Sequence, residues 1–162
     1  MIDASQYQDL LKSVADLRRT TSALMGHTQR PSPVAVVDLV TQSAAVGTTT
    51  MYAVPASCGG LYRLGWYAKV TRGATTSSVL GGLTIAFTDN TDSVAQSVLC
   101  GAFRTDGAYA NSSAGNVTTS TLNGSIVVWA KASNNITYAF AYTSVGATTM
   151  QYELHMTLQY LV

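Results

Sequence analysis

Met150-Gln151-Tyr152-Glu153-Leu154-His155-Met156-Thr157-Leu158-Gln159-Tyr160 alternates without a break, and it decides the fold class. Met150, Tyr152, Leu154, Met156, Leu158 and Tyr160 fall on one side of an extended chain. Gln151, Glu153, His155, Thr157 and Gln159 fall on the other. Successive side chains of a strand point to opposite faces, so this period of two describes a β-strand with one buried and one solvated face. The same rule reads Leu61–Arg72 as a long strand. Tyr62, Leu64, Trp66, Ala68 and Val70 take its inner face, while Arg63, Tyr67 and Lys69 take the outer one.

Working outward, β-branched and aromatic residues mark further strands over Val34–Thr41, Val46–Val54, Val79–Thr88, Ser93–Cys100, Asn116–Leu122, Ser125–Ala132 and Ile136–Thr143. Pro55 and Gly59-Gly60 end the second of these. Asp89-Asn90-Thr91-Asp92 forms a polar turn, and Asn123-Gly124 between two apolar runs is a hairpin signal. Gly101 to Gly115 is rich in small and polar residues and reads as an exposed loop. Eight or nine strands with no helix between them indicate a β-sandwich, and a jelly roll is the preferred topology. Trp66 and Trp129 both fall within strands, where core packing is the expected role.

The first thirty residues follow a different rule. Asp3 and Gln6 make a capping pair, and Gly26 closes the pattern. Between them Tyr7, Leu10, Val14, Leu17, Thr21 and Leu24 recur at spacings of three and four, the seam of a left-handed coiled coil. Lys12 and Asp16 lie one turn apart on the opposite face. A lone helix of this length is marginal in water and needs something to lie against. Three occupants remain open: the chain's own β domain, identical helices, or a different protein. The expected organisation is a helix over 1–28 (stalk or anchor), a Pro-stiffened linker over 29–33, and a β-sandwich head over 34–162. The fold class is thus an all-β jelly-roll-like sandwich preceded by an N-terminal α-helix, which a short trimeric coiled coil would complete.

Composition narrows the function. Hydrophobic residues make up 47% of the 162, enough for a core, while charged residues are only 10% against about a quarter in ordinary domains. No apolar run reaches the roughly 18–20 residues of a membrane span, and the N-terminus carries no secretory pattern. No Lys/Arg stripe with interleaved aromatics suggests nucleic-acid binding. Low charge at this length implies that much of the surface is covered by copies of the chain or by a partner. Cys58 and Cys100 are too few for a disulfide framework; buried free thiols or one bridge are the alternatives.

Residues capable of chemistry are sparse. His27 follows the helix as a solvated residue. His155 and Glu153 share a strand face, but no third ligand accompanies them at metal-binding spacing. Asp89-Asn90-Thr91-Asp92 lacks the glycine and closing glutamate of a calcium loop, leaving a turn capped by its own carboxylates. No nucleophile elbow, phosphate-cradling loop or zinc-protease motif occurs. No catalytic, cofactor-binding or metal residue is therefore assigned, no cofactor is expected, and an enzyme is not.

The run Gly60-Leu61-Tyr62-Arg63-Leu64-Gly65-Trp66-Tyr67, with a Tyr-rich hairpin before the last strand, resembles the trimeric jelly-roll heads of complement-type and tumour-necrosis-factor-like proteins. Trp66 to Ser78 and Tyr142 to Tyr152 are similar to small phage virion proteins, in which such a domain serves for head decoration, as a head fibre or at a tail tip. The resemblance covers roughly Ala35 to Val162. It implies a homotrimer assembled in a bacterial cytoplasm and displayed on a virion, held to the major capsid protein or another virion protein. The helix seam from Tyr7 to Leu24 would supply stalk or anchor. Tyr152, Leu154, Met156, Leu158 and Tyr160 are the candidate contacts between heads. The alternative is a tail-tip or fibre-end module that recognises a host surface glycan or protein, with Thr105 to Gly115 and Tyr109 as the presenting loop.

Overall fold

A computed structural model describes residues 12–17, 33–100 and 116–162. The chain divides into two compact units, Met1–Ser32 and Pro33–Val162. In the first, residues 12–17 are helical, with Val14 and Leu17 exposed. The other seam residues, Tyr7, Leu10, Thr21 and Leu24, lie outside the described residues, as do His27, residues 29–32 of the linker, and the 101–115 loop with Tyr109.

The second unit consists of eight strands: β1 (Pro33–Gln42), β2 (Val46–Ala53), β3 (Gly60–Arg72), β4 (Ser77–Thr88), β5 (Ala95–Cys100), β6 (Thr121–Ala130), β7 (Asn135–Val145) and β8 (Gln151–Tyr160). They form two four-stranded sheets. Sheet I has the order β1-β8-β3-β6 and sheet II the order β2-β7-β4-β5, with antiparallel pairing throughout. Every connection crosses from one sheet to the other except the β4–β5 hairpin. That nesting is the jelly roll expected from the sequence.

The alternation of β3 and β8 explains the layer between the sheets. Tyr62, Leu64, Ala68 and Val70 of β3 and Tyr152, Leu154, Met156 and Leu158 of β8 are buried, facing Leu80, Leu83, Ile85, Ile136 and Phe140 of sheet II. An aromatic chain runs through this layer from Trp66 to Phe140, Tyr152 and Tyr142, with centroid separations of 6.3, 5.4 and 5.8 Å. Buried phenols carry a polar tip that needs a partner. Tyr152 donates to the Ala44 carbonyl at 2.9 Å, tying β8 to the β1–β2 turn, and Tyr142 donates to Met150 at 2.8 Å.

The structure corrects four sequence expectations. Asn123-Gly124 is not a hairpin: β6 runs straight through it, pairing Tyr67 with Asn123 and Trp66 with Gly124. A Cβ on Gly124 would meet the Trp66 indole Nε1 at 2.8 Å, so this glycine makes room for a ring rather than a turn. Asn116 does not begin a strand. Its side chain clamps the β3–β4 turn, accepting from the Ala74 amide at 2.5 Å and the Ser78 hydroxyl at 2.6 Å and donating to the Ala74 carbonyl at 2.8 Å. Trp129 is not in the core; on β6 its parity turns it outward, 38% exposed. Finally, the proposed head-contact residues Tyr152, Leu154, Met156 and Leu158 are buried inside the chain's own sandwich, which leaves them no exposed surface for a contact between heads. Tyr160 alone of that set reaches the surface, packed on Tyr62 with ring centroids 5.1 Å apart.

Candidate functional surfaces

Two outer faces remain, and their chemistry differs. On sheet I the register places outward residues in rows across the strands. Asp38, His155, Tyr67 and Asn123 form one row, and Val36, Thr157, Gly65 and Ser125 form the next. Asp38 and the imidazole Nδ1 of His155 are 2.5 Å apart, and His155 Nε2 is 3.9 Å from Glu153. Lys69 stands directly across from Glu153. Tyr67 leans over His155, with centroids 6.2 Å apart. Beside them lies an open hollow of about 460 Å³, lined among others by Val36, Asp38, Gly65, Tyr67, His155 and Thr157.

His155 therefore has the acidic neighbour that strand spacing could not reveal, since Asp38 comes from β1, far away in sequence. The two carboxylates address opposite ring nitrogens and so do not converge on one point where a cation would sit. Among the described residues no group of three or more His, Cys, Asp or Glu could hold a metal ion. Cys58 and Cys100 are both free. Burial pushes the Cys100 thiol up to about 11, which keeps it protonated and unreactive at neutral pH. The turn after β4 is capped as expected, Asp89 accepting from Thr91 at 2.7 Å and Asp92 from Val94 at 2.9 Å.

Sheet II contrasts with this. No residue of β2, β4, β5 or β7 is Asp, Glu, Lys, Arg or His. The outward positions are mostly Thr, Ser, Ala and Val, with Val79 45% and Leu99 46% exposed. Thr143 turns its hydroxyl onto the Val79 carbonyl at 3.4 Å, and Thr137 onto Ala86 at 3.5 Å. Turned this way, the hydroxyls are spent on the sheet and the methyls are left to cover the face. A count of charges strand by strand was the sequence signal for this face; the overall 10% conceals it. Among the described residues no helix is long and apolar enough to cross a membrane.

No family model matches the sequence, and no curated protein does. Solved structures with a similar course of strands include the carbohydrate-binding and GH10 modules of xylanase 10B from Clostridium thermocellum, determined with xylohexaose. That match has a TM-score of 0.40 at 13% identity and covers 77% of this chain and 21% of that one. The N-terminal cellulose-binding domain of β-1,4-glucanase C from Cellulomonas fimi has a TM-score of 0.35 at 15% identity, covering 81% and 80%. A chain of infectious bursal disease virus, Gx strain, has a TM-score of 0.35 at 16% identity, covering 76% and 28%. The present chain spans about a fifth of the length of the xylanase it matches. Likeness at this level concerns the β-sandwich and carries no functional argument.

Proposed function

We propose that the chain is a non-enzymatic structural protein of a virion, a trimeric capsid decoration or head-fibre protein held to the major capsid protein or another virion protein through its N-terminal segment. The observation that supports this most is the charge-free sheet II. Interface cores are depleted in charge, and a β-edge without Lys, Pro or bulges invites pairing unless something covers it. Edge strand β5 has no such guard, and edge strand β2 is guarded only by register shifts. Covering sheet II with neighbouring copies would bury Val79, Val145 and Leu99 at about 25 cal/mol per Å² of apolar area. The number three and the virion, assembled in a bacterial host, are what the sequence resemblance to trimeric jelly-roll heads and to small phage virion proteins implies.

Sedimentation equilibrium tests this. The chain should run as a trimer at low micromolar concentration, and Val79→Lys with Leu99→Lys should give folded monomers. A wild-type chain that sediments as a monomer overturns the assembly reading. Deleting residues 1–28 should leave the head folded and abolish attachment to particles; decoration by the truncated chain overturns the anchor. One observation favours the alternative of a receptor-binding module at a tail tip or fibre end. It is the hollow on sheet I, on the face that assembly through sheet II would leave open.

A further inference from the structure

Strand interiors disfavour glycine, which loses more chain entropy than other residues and packs no side chain. Most glycines of the described residues are closely hemmed in: a Cβ at Gly59, Gly60, Gly73, Gly81, Gly124 or Gly146 would approach another atom within 3.0 Å. At Gly82 the close atom is only the end of the Leu99 side chain, and Gly47, near the start of edge strand β2, meets nothing within 4 Å. Gly65 is different. It lies mid-strand in β3 between β8 and β6, and a Cβ there would meet only the Thr157 hydroxyl, at an ordinary 3.7 Å. The fold does not require this glycine, yet its missing side chain is what opens the floor of the hollow.

The walls are suited to a particular ligand. Tyr67 presents a partly exposed ring beside the floor. Thr157 flanks Gly65 with a hydroxyl, and Ser125 and Asn123 pair with Gly65 and Tyr67 on the neighbouring strand, outside the hollow itself. Asp38 and His155 bring acceptor and donor atoms to the rim. At the hollow itself the charges are matched, Asp38 with His155; further along the face Glu153 stands opposite Lys69, and Arg63 faces outward across from Gln159. An anionic ligand would meet the Asp38 carboxylate at the rim, and a cationic one would find it already partnered by His155. A neutral ligand with an apolar face and a ring of hydroxyls fits, and the volume of about 460 Å³ lies within the roughly 300–1,000 Å³ of small-ligand clefts.

We propose that the outer face of sheet I is a saccharide-binding groove, in which a neutral sugar ring lies over Gly65 with its apolar face against Tyr67 and its hydroxyls toward Thr157, Asp38 and His155. The groove is open, so it suits one residue of a longer glycan passing across the strands. This deepens the recognition reading and is independent of assembly through sheet II.

The test applies the full chain to a printed array of neutral, uronic-acid and sialylated oligosaccharides together with oligolysine, and measures affinity for the best neutral ligand by calorimetry. Binding to neutral oligosaccharides is expected. It should fall at least tenfold in Tyr67→Ala, and likewise in Gly65→Val, which fills the floor with a residue strands favour, while Val79→Lys on sheet II binds as the wild type does. Circular dichroism of each variant separates lost binding from lost folding. Sugar binding indifferent to both sheet I substitutions overturns the groove and leaves glycan recognition standing. A preference for anionic sugars overturns the neutral groove and leaves glycan recognition standing, whereas no array binding, or binding to oligolysine alone, overturns both. Sedimentation of the same samples reports assembly separately.

Discussion

Gly124→Ala distinguishes the observed course of β6 from the hairpin that Asn123-Gly124 suggests. In the structure the new methyl would lie 2.8 Å from Trp66 Nε1, 3.2 Å from Cε2 and 3.4 Å from Cζ2. Trp66 is buried against Phe140, so the ring has little room to retreat. Overpacking of this kind costs about 1–3 kcal/mol, while alanine in place of glycine within a strand returns about 0.5–1 kcal/mol. The net expectation is a loss of about 0–2.5 kcal/mol, or up to roughly 10 °C in melting temperature for a domain of this size. Loss alone is not decisive, because a hairpin glycine would also resist alanine. Trp66→Phe supplies the discrimination. Phenylalanine lacks the indole atoms nearest to Gly124, and it removes the one buried side-chain donor without a partner among the described residues, Trp66 Nε1. In urea titrations of the two single variants and the double variant, the double should be less destabilised than the sum by about 1 kcal/mol or more. Strict additivity would refute the close packing of ring on glycine and restore the turn.

Three further outcomes are expected. Burial raises Tyr62 and Tyr152 from an ordinary value of 10.0 to about 12 each, with neighbouring phenols adding to it, and raises Cys100 from 9.0 to about 11. Their neutral forms stabilise the fold fully below the unfolded values. Stability should therefore fall from about pH 9 to 12, on the order of 2 kcal/mol for each tyrosine, and a flat denaturation midpoint across that range would contradict their burial. Asn116→Ala strands the Ala74 amide and carbonyl and the Ser78 hydroxyl, and should cost about 2–3 kcal/mol in denaturant titrations; a loss below 0.5 kcal/mol, the scale of ordinary surface changes, would mean the clamp is ornamental. Tyr152→Phe removes one bond to Ala44 and should cost about 1 kcal/mol with the core otherwise intact, as near-ultraviolet circular dichroism can check.

The fold was legible because burial in a sandwich writes itself into the sequence with a period of two. The inner faces of β3 and β8 could be named residue by residue, and the turn at Asp89 to Asp92 could be read from its side-chain acceptors. Errors arose where a local signal has two physical causes. Asn-Gly marks a tight turn, but a glycine opposite a large ring marks a close approach, and only the register separates them. An apolar stripe says that a face is buried without saying by what. The β8 stripe is covered by the other sheet of its own protomer, which removes Tyr152, Leu154, Met156 and Leu158 from any contact between copies. The Asp38–His155 pair was hidden for a simpler reason. It is made by cross-strand register between the first and last strands, and no spacing in sequence encodes that.

The division of charge between the sheets is informative because the topology interleaves them. Seven connected neighbours in sequence make six crossings between sheets, so a chain biased in composition by region would spread its charges over both faces. Instead β1, β3 and β8, widely separated in sequence, carry Asp38, Arg63, Lys69, Arg72, Glu153 and His155, while β2, β4, β5 and β7, threaded between them, carry none; within sheet I only the edge strand β6 is likewise uncharged. Solubility alone would not produce that partition, since charged residues on sheet II would improve it as readily as those on sheet I. A constraint that acts face by face would. On the proposed assembly, burial of sheet II against copies of the chain would select against charge there, because an unpaired charge at an interface core costs several kcal/mol. Sheet I, which that assembly would leave facing outward, keeps its charges, the Asp38–His155 pair among them, and retains a mid-strand glycine that packing does not demand. The two readings of this protein, assembly and recognition, then describe opposite faces of one sandwich rather than competing fates for the same surface.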